Sequence, residues 1–151
     1  MQSKEIHIPI NIYLLDELCA NDQELMQAAI EATKRSYAPY SHFSVGAALL
    51  TRDGKIYTGA NIENASYTPT VCAERVAFFT ALHEGKRDFS AIAIVGGNHS
   101  GQGSTCPPCG VCLQVMSEFC KGDFKIILCD GENEKVLTLD ELLPHRFALL
   151  K

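Results

Sequence analysis

Apolar positions along the chain recur with two different periods. Near the start, Ile6, Ile8, Ile10 and Ile12 alternate with His7, Pro9 and Asn11, which is the period of a strand. Pro9 has no amide hydrogen to give a ladder, so this segment is expected at a sheet edge or as a docked extension. From Asn21 the period changes. Leu25, Ala28, Ala29 and Ala32 form one helical stripe, Asn21 and Glu24 stand at capping-box spacing, and Pro39 lies beyond the end. Residues 45–51 and 55–60 read as two strands joined by the turn Arg52-Asp53-Gly54. The polar stretch 61–70 precedes a helical run over about 71–84 that stops at Gly85. Residues 91–95 are apolar without alternation, as in a strand covered on both faces. The Gly/Ser-rich segment 96–105 reads as a loop into Pro107-Pro108 and a helix over 110–119. A second covered strand follows at 125–129, then a short last strand at 135–138 and a helix. Covered strands alternating with helices predict an α/β fold, a three-layer α/β/α sandwich. We read residues 1–20 as an N-terminal arm and 21–151 as one domain.

Composition narrows the function more than the fold. At 151 residues, 46% hydrophobic and 21% charged, the chain is an ordinary globular domain rather than a disordered or fibrous one. Its net charge of −5 supplies no basic field for gripping a polynucleotide backbone. Charged and polar residues interrupt every apolar stretch, so neither a signal peptide nor a membrane span is expected. The expected compartment is therefore a reducing one, the cytoplasm. Seven cysteines, at 19, 72, 106, 109, 112, 120 and 129, then read as metal ligands, redox groups or buried small hydrophobes rather than disulfides.

Cys109-Gly-Val-Cys112 is a C-x-x-C pair, and Cys106-Pro-Pro-Cys109 is a second one sharing a residue. An iron–sulfur reading of C-x-x-C-x-x-C needs a fourth cysteine at the right spacing, but the residue four after Cys112 is Met116. A thioredoxin-like pair usually comes early, after the first strand, whereas this one comes late. Zinc is the third reading, with Cys72 as the further ligand. Cys72 and Glu74 straddle the first turn of one predicted helix, and Cys109 and Cys112 the first turn of another. The unpaired N–H groups at two helix starts suit an anionic thiolate cluster. Three protein ligands leave a fourth position for water, the pattern of catalytic zinc, and Glu74 sits beside that position without binding the metal. Cys19, Cys106, Cys120 and Cys129 are read as buried small hydrophobes, although Cys106 is close enough to reach a metal or a thiol. No ligand position is left for His42 or His145.

Cys72-Ala-Glu74 with Pro108-Cys109-Gly-Val-Cys112 resembles the three-cysteine signature of the zinc deaminases. The resemblance is closer still to the small cytidine deaminases of nucleoside salvage. It is carried by Tyr37-Ala-Pro-Tyr-Ser-His-Phe-Ser-Val-Gly-Ala-Ala-Leu49, Asn61-Ile-Glu63-Asn-Ala-Ser-Tyr67, Cys72-Ala-Glu-Arg75 and Glu141-Leu-Leu-Pro144. It runs in order from about Leu25 to Phe147. It implies a central mixed five-stranded sheet, one Zn²⁺ per chain, and hydrolytic deamination of cytidine and 2′-deoxycytidine with release of ammonia. Glu74 would be the proton shuttle. Asn61 and Glu63 would hold the ribose, Phe43 would wall the base, and backbone near Ala73 and Cys109 would hold it. Tyr67 and Phe147 are implied by family members whose neighbouring subunits reach into one another's sites, and short members of the family are homotetramers. The expected partners are thus a pyrimidine nucleoside, water and further copies of this chain, with no polynucleotide and no membrane.

One departure stands out. After the second zinc cysteine the family usually reads Arg-Gln, and here it is Leu113-Gln114. Arg75 is then expected to balance more of the cluster's negative charge. Three other readings compete. A polynucleotide-editing deaminase fits poorly with the acidic balance. A deaminase of a cytosine-containing antibiotic should lack Asn61-x-Glu63. A structural zinc or thiol-redox module leaves Glu74 idle.

Overall fold

The computed structural model describes residues 1, 3–98 and 103–147. Its strands are β1 (Asn11–Tyr13), β2 (Phe43–Thr51), β3 (Ile56–Ala60), β4 (Phe89–Asn98), β5 (Gly103–Ser104), β6 (Lys125–Cys129) and β7 (Glu134–Thr138). Its α-helices are α1 (Ala20–Ala32), α2 (Ala73–His83), α3 (Gly110–Phe119) and α4 (Leu139–Leu142). The strands form one mixed sheet in the order β1-β7-β6-β4-β2-β3, with β5 beside β4. Among the described strands only β4 and β6 pair in parallel, and α3 crosses between them.

Strand periodicity sorts side chains into two layers. Ala48, Ala91, Ala93 and Ile127 face Leu25, Met26 and Ala29 of α1. Ala47, Leu49, Ile92, Ile94, Ile126, Leu128 and Leu137 face Ala77, Phe78 and Ala81 of α2 and Leu113 and Met116 of α3. Each large apolar side chain buried there contributes about 1.5–3 kcal/mol. Phe78 also meets Phe89 edge-on, with ring centroids 5.1 Å apart. The result is the expected α/β/α sandwich.

Seven strands stand where five were expected, because two short ones are added. β1 is three residues of the arm paired antiparallel to β7 at the sheet edge, and Ile6, Ile8, Pro9 and Ile10, expected to share that strand, precede it outside any strand. β5 lies within the segment expected to be a loop, and β4 itself runs to Asn98. The rest of that expected loop, 99–102, lies outside the described residues, as do 148–151 of the expected domain. The capping box expected at Asn21 and Glu24 is not formed. α1 begins one residue earlier with Cys19 as its N-cap, and no side chain caps it.

Gly59 shows how the sheet brings α2 into place. A Cβ at this position would fall 2.3 Å from the Ala73 carbonyl oxygen and 2.6 Å from the Ala77 nitrogen. Only glycine lets the first turn of α2, with Cys72 and Glu74, lie against β3.

Candidate metal centre and substrate cavity

Cys72 is the N-cap of α2 and Cys109 the N-cap of α3, both in extended backbone. Cys112 lies one turn into α3. The three Sγ atoms fall within 4.8 Å of one another, and no other such group of His, Cys, Asp or Glu occurs among the described residues. Cys72 Sγ is 3.9 Å from Cys109 Sγ, which is 3.6 Å from Cys112 Sγ. Three thiolates about 2.3 Å from one tetrahedral zinc lie about 3.8 Å apart, so the donor set fits zinc in both chemistry and spacing.

The cluster is already electrostatically prepared. A hydrogen bond from the Cys112 thiol, followed by contact with Arg75, brings the Cys72 thiol down to about 5. Cys112, as the donor in that bond and buried besides, moves the opposite way. A dication would displace the shared protons. Arg75 Nη2 is 3.6 Å from Cys72 Sγ and donates to the Thr70 carbonyl at 3.2 Å. Arg75 therefore sits where its charge opposes that of the thiolates. Leu113 is instead part of the core beneath α3, 8% exposed, so the family's arginine position is here an apolar packing position.

Glu74 is 5% exposed. Burial, reinforced by the negative charge of Cys72, raises its pKa above the ordinary carboxyl value. It opens onto a cavity of about 240 Å³ lined also by Phe43, Asn61, Glu63, Cys72, Ala73 and Cys109. This cavity lies at the carboxyl ends of the parallel pair, where open α/β sheets bind ligands. A larger cleft of about 670 Å³ opens at the opposite end, between Phe89, Lys125 and Thr138, and holds none of this chemistry.

At the end of the cavity away from the cysteines, Glu63 Oε2 accepts from the Tyr40 amide at 2.9 Å and the Ser41 amide at 3.3 Å. Hydrogen bonding from the Ser41 side chain, then from the Tyr40 backbone, keeps its carboxylate below the ordinary range. Asn61 Oδ1 accepts from Ser36 Oγ at 2.6 Å and the Val45 amide at 2.8 Å, while Nδ2 donates to the Phe43 carbonyl at 2.9 Å. Asn61 thus pins the start of β2 through its oxygen and one of its two amide hydrogens. Tyr67 and Phe147 do not line this cavity. They are 83% and 68% exposed, and Gln114 Nε2 donates to the Phe147 carbonyl at 3.1 Å. Val45, Thr70, Val71, Cys106 and Pro107 also line the cavity and were not expected there. Of these only Cys106, three residues before Cys109, carried a signal. It is not part of the thiol cluster, and burial pushes its thiol up to about 11.

Residues 19–128 match the family model described as the cytidine and deoxycytidylate deaminase zinc-binding region. A cytidine deaminase of Halalkalibacterium halodurans is 49% identical over 127 residues, 83% of this chain and 93% of that protein. A blasticidin-S deaminase of Bacillus cereus is 32% identical over 84% of this chain and 92% of its own length. The crystal structure of cytidine deaminase from Burkholderia pseudomallei superposes with a TM-score of 0.74 at 46% identity, covering 82% of this chain and 97% of that one. With three thiols at zinc spacing beside a buried acid at two helix starts, and a match spanning both helices, this chain belongs to the cytidine and deoxycytidylate deaminase family.

Proposed function

We propose that this protein is a zinc-dependent hydrolytic deaminase of cytidine and 2′-deoxycytidine, yielding uridine or 2′-deoxyuridine and ammonia. The observation that carries the reading is the thiol cluster beside the buried Glu74 at the end of a cavity of about 240 Å³. Cys72, Cys109 and Cys112 would hold one zinc per chain, which when bound supplies Lewis-acid chemistry at its open position. Glu74, with its raised pKa, takes a proton from the attacking water and gives it to ring N3 as the oxygen bonds to C4. It then moves the remaining hydroxyl proton to the amino nitrogen. The C4–N bond breaks, the C4–O bond becomes a carbonyl, and ammonia leaves.

Asn61 and Glu63 are the residues we assign to the ribose, and Phe43 and the backbone at Ala73 and Cys109 to the base. Arg75 is assigned to electrostatic support of the cluster. The alternative, deamination of a cytosine-containing antibiotic, draws on the similarity to a protein named blasticidin-S deaminase. The acceptor at Glu63 and the amide donor at Asn61 favour a sugar with free hydroxyls instead.

We read the protein as a cytoplasmic enzyme of pyrimidine nucleoside salvage, in which residues 21–151 form one domain and 1–20 an arm. No helix among the described residues is long and apolar enough to cross a membrane. Exposed Phe79 on α2, Val111 on α3, Tyr67 and Phe147 support assembly into a homotetramer, with the last two offered to neighbouring sites. Zinc content per chain, measured together with the ultraviolet change of cytidine on conversion to uridine, tests the reading. One zinc with turnover supports it. Zinc-loaded protein that leaves cytidine intact overturns it.

A further inference from the structure

One wall of the cavity places Cys106 over Gly96, and none of these roles explains either residue. Gly96 lies two residues beyond Ile94 on β4 and so faces the same side, toward α2 and α3. β5 returns beside it through the pair Gly96–Ser104, which carries Cys106 back over Gly96. A Cβ built on Gly96 would fall 2.7 Å from Cys106 Cβ, 2.9 Å from Cys106 Sγ and 2.7 Å from Phe43 Cε1. Non-bonded carbons are comfortable only at about 3.5–4.0 Å, so the Phe43 ring and the Cys106 side chain meet over bare backbone. Both line the cavity, and Cys106 lies three residues before Cys109, at the cavity's metal end.

We propose that Gly96 and Cys106 determine substrate specificity. The missing side chain at 96 seats Phe43 and Cys106 as one wall, and the bulk of Cys106 limits the substituent a pyrimidine ring can carry beside its reacting C4. The inference rests on the cytidine deaminase reading. The wall is already packed to contact over Gly96, so it cannot draw back to admit one more methyl group. 5-Methylcytidine is the probe, because it adds one methyl to the ring atom next to C4.

Steady-state kinetics on cytidine and 5-methylcytidine, with zinc content and thermal midpoint recorded for every variant, test the wall. Cys106→Ala should raise the kcat/KM ratio of 5-methylcytidine to cytidine about tenfold, the scale of one methyl in an apolar pocket. Gly96→Ala should raise KM for cytidine about tenfold with a smaller change in kcat, since it narrows the pocket rather than the chemistry. The double variant should recover little of that loss, because the Cβ at position 106 and Phe43 Cε1, each 2.7 Å from the new methyl, both remain. An unchanged ratio in Cys106→Ala, or wild-type KM in Gly96→Ala, overturns the proposal while leaving the deaminase reading in place. If Gly96→Ala yields no folded protein, the Cys106→Ala ratio decides alone. Zinc-loaded wild type that leaves cytidine intact overturns the deaminase reading and the wall with it.

Discussion

Arg75 is the residue whose position says most about how the cluster is balanced. Three thiolates outweigh a dication by one charge, and the guanidinium 3.6 Å from Cys72 Sγ is the nearest recorded offset. Arg75→Gln removes a charge-assisted contact worth about 1.5–3 kcal/mol, so kcat should fall about 10- to 100-fold with zinc retained. The acid limb of the pH–rate profile should move to higher pH, because more negative surroundings hold protons more tightly. An unchanged profile would mean that the two helix starts balance the cluster without it. A second residue tests the fold rather than the chemistry. Glu134 is 5% exposed, its Oε2 has no hydrogen-bond partner among the described residues, and burial raises its pKa. Such a carboxyl binds its proton more tightly in the folded state than in the unfolded one. Stability is therefore highest below the unfolded pKa and declines as pH rises toward the folded value. Glu134→Gln should be more stable than wild type near pH 8, and the gain should vanish at about pH 4, below the unfolded carboxyl pKa. Urea unfolding at the two pH values checks this, and a gain that persists in acid would contradict it.

At the scale of elements, periodicity was informative wherever one face of an element packs on one layer. α3 runs from Gly110 to Phe119 as read, because Cys112, Leu113 and Met116 make a single buried stripe and Pro107-Pro108 fixes where the helix can begin. β4 beyond Val95 and β5 were not legible. Gly96 and Gly97 have no side chains to alternate, and their strand character comes from pairing with Ser44 and Val45 on one side and β5 on the other. The start of α1 was misread by one residue because the polar pair Asn21 and Glu24 imitates a capping box that the backbone does not use. The close approach of α2 to β3 was likewise invisible in the sequence, since Gly59 resembles any strand glycine until a helix lies against it. Gly59→Ala should cost about 1–3 kcal/mol, the range for overpacking, and shift Cys72 and Glu74 outward. Weaker zinc retention against a chelator would accompany the lower thermal midpoint. A variant with wild-type midpoint and zinc retention would show that α2 is not held there.

For the whole molecule, the chemistry was easier to read than the assembly. Cys72, Glu74, Cys109 and Cys112 announce themselves because metal chemistry restricts both residue type and spacing at helix starts. Asn61 was harder, since nothing in the sequence reveals that its amide also ties Ser36, Phe43 and Val45 together. Tyr67 and Phe147 show only exposed surface in a single chain, and a role for them needs neighbours. Sedimentation equilibrium should therefore give a tetramer, and Phe147→Ala should raise KM for cytidine while leaving zinc content unchanged. A fully active monomer would contradict that assembly. We assign to Glu74 the proton transfers of a deamination at a zinc held by Cys72, Cys109 and Cys112. The most direct test is single-turnover conversion of cytidine to uridine by Glu74→Gln, with zinc measured on the same sample. Full zinc occupancy is expected, with a rate lower by about 10²–10⁴-fold, the contribution of a positioned acid–base group. Turnover within a few-fold of wild type at full occupancy would contradict it.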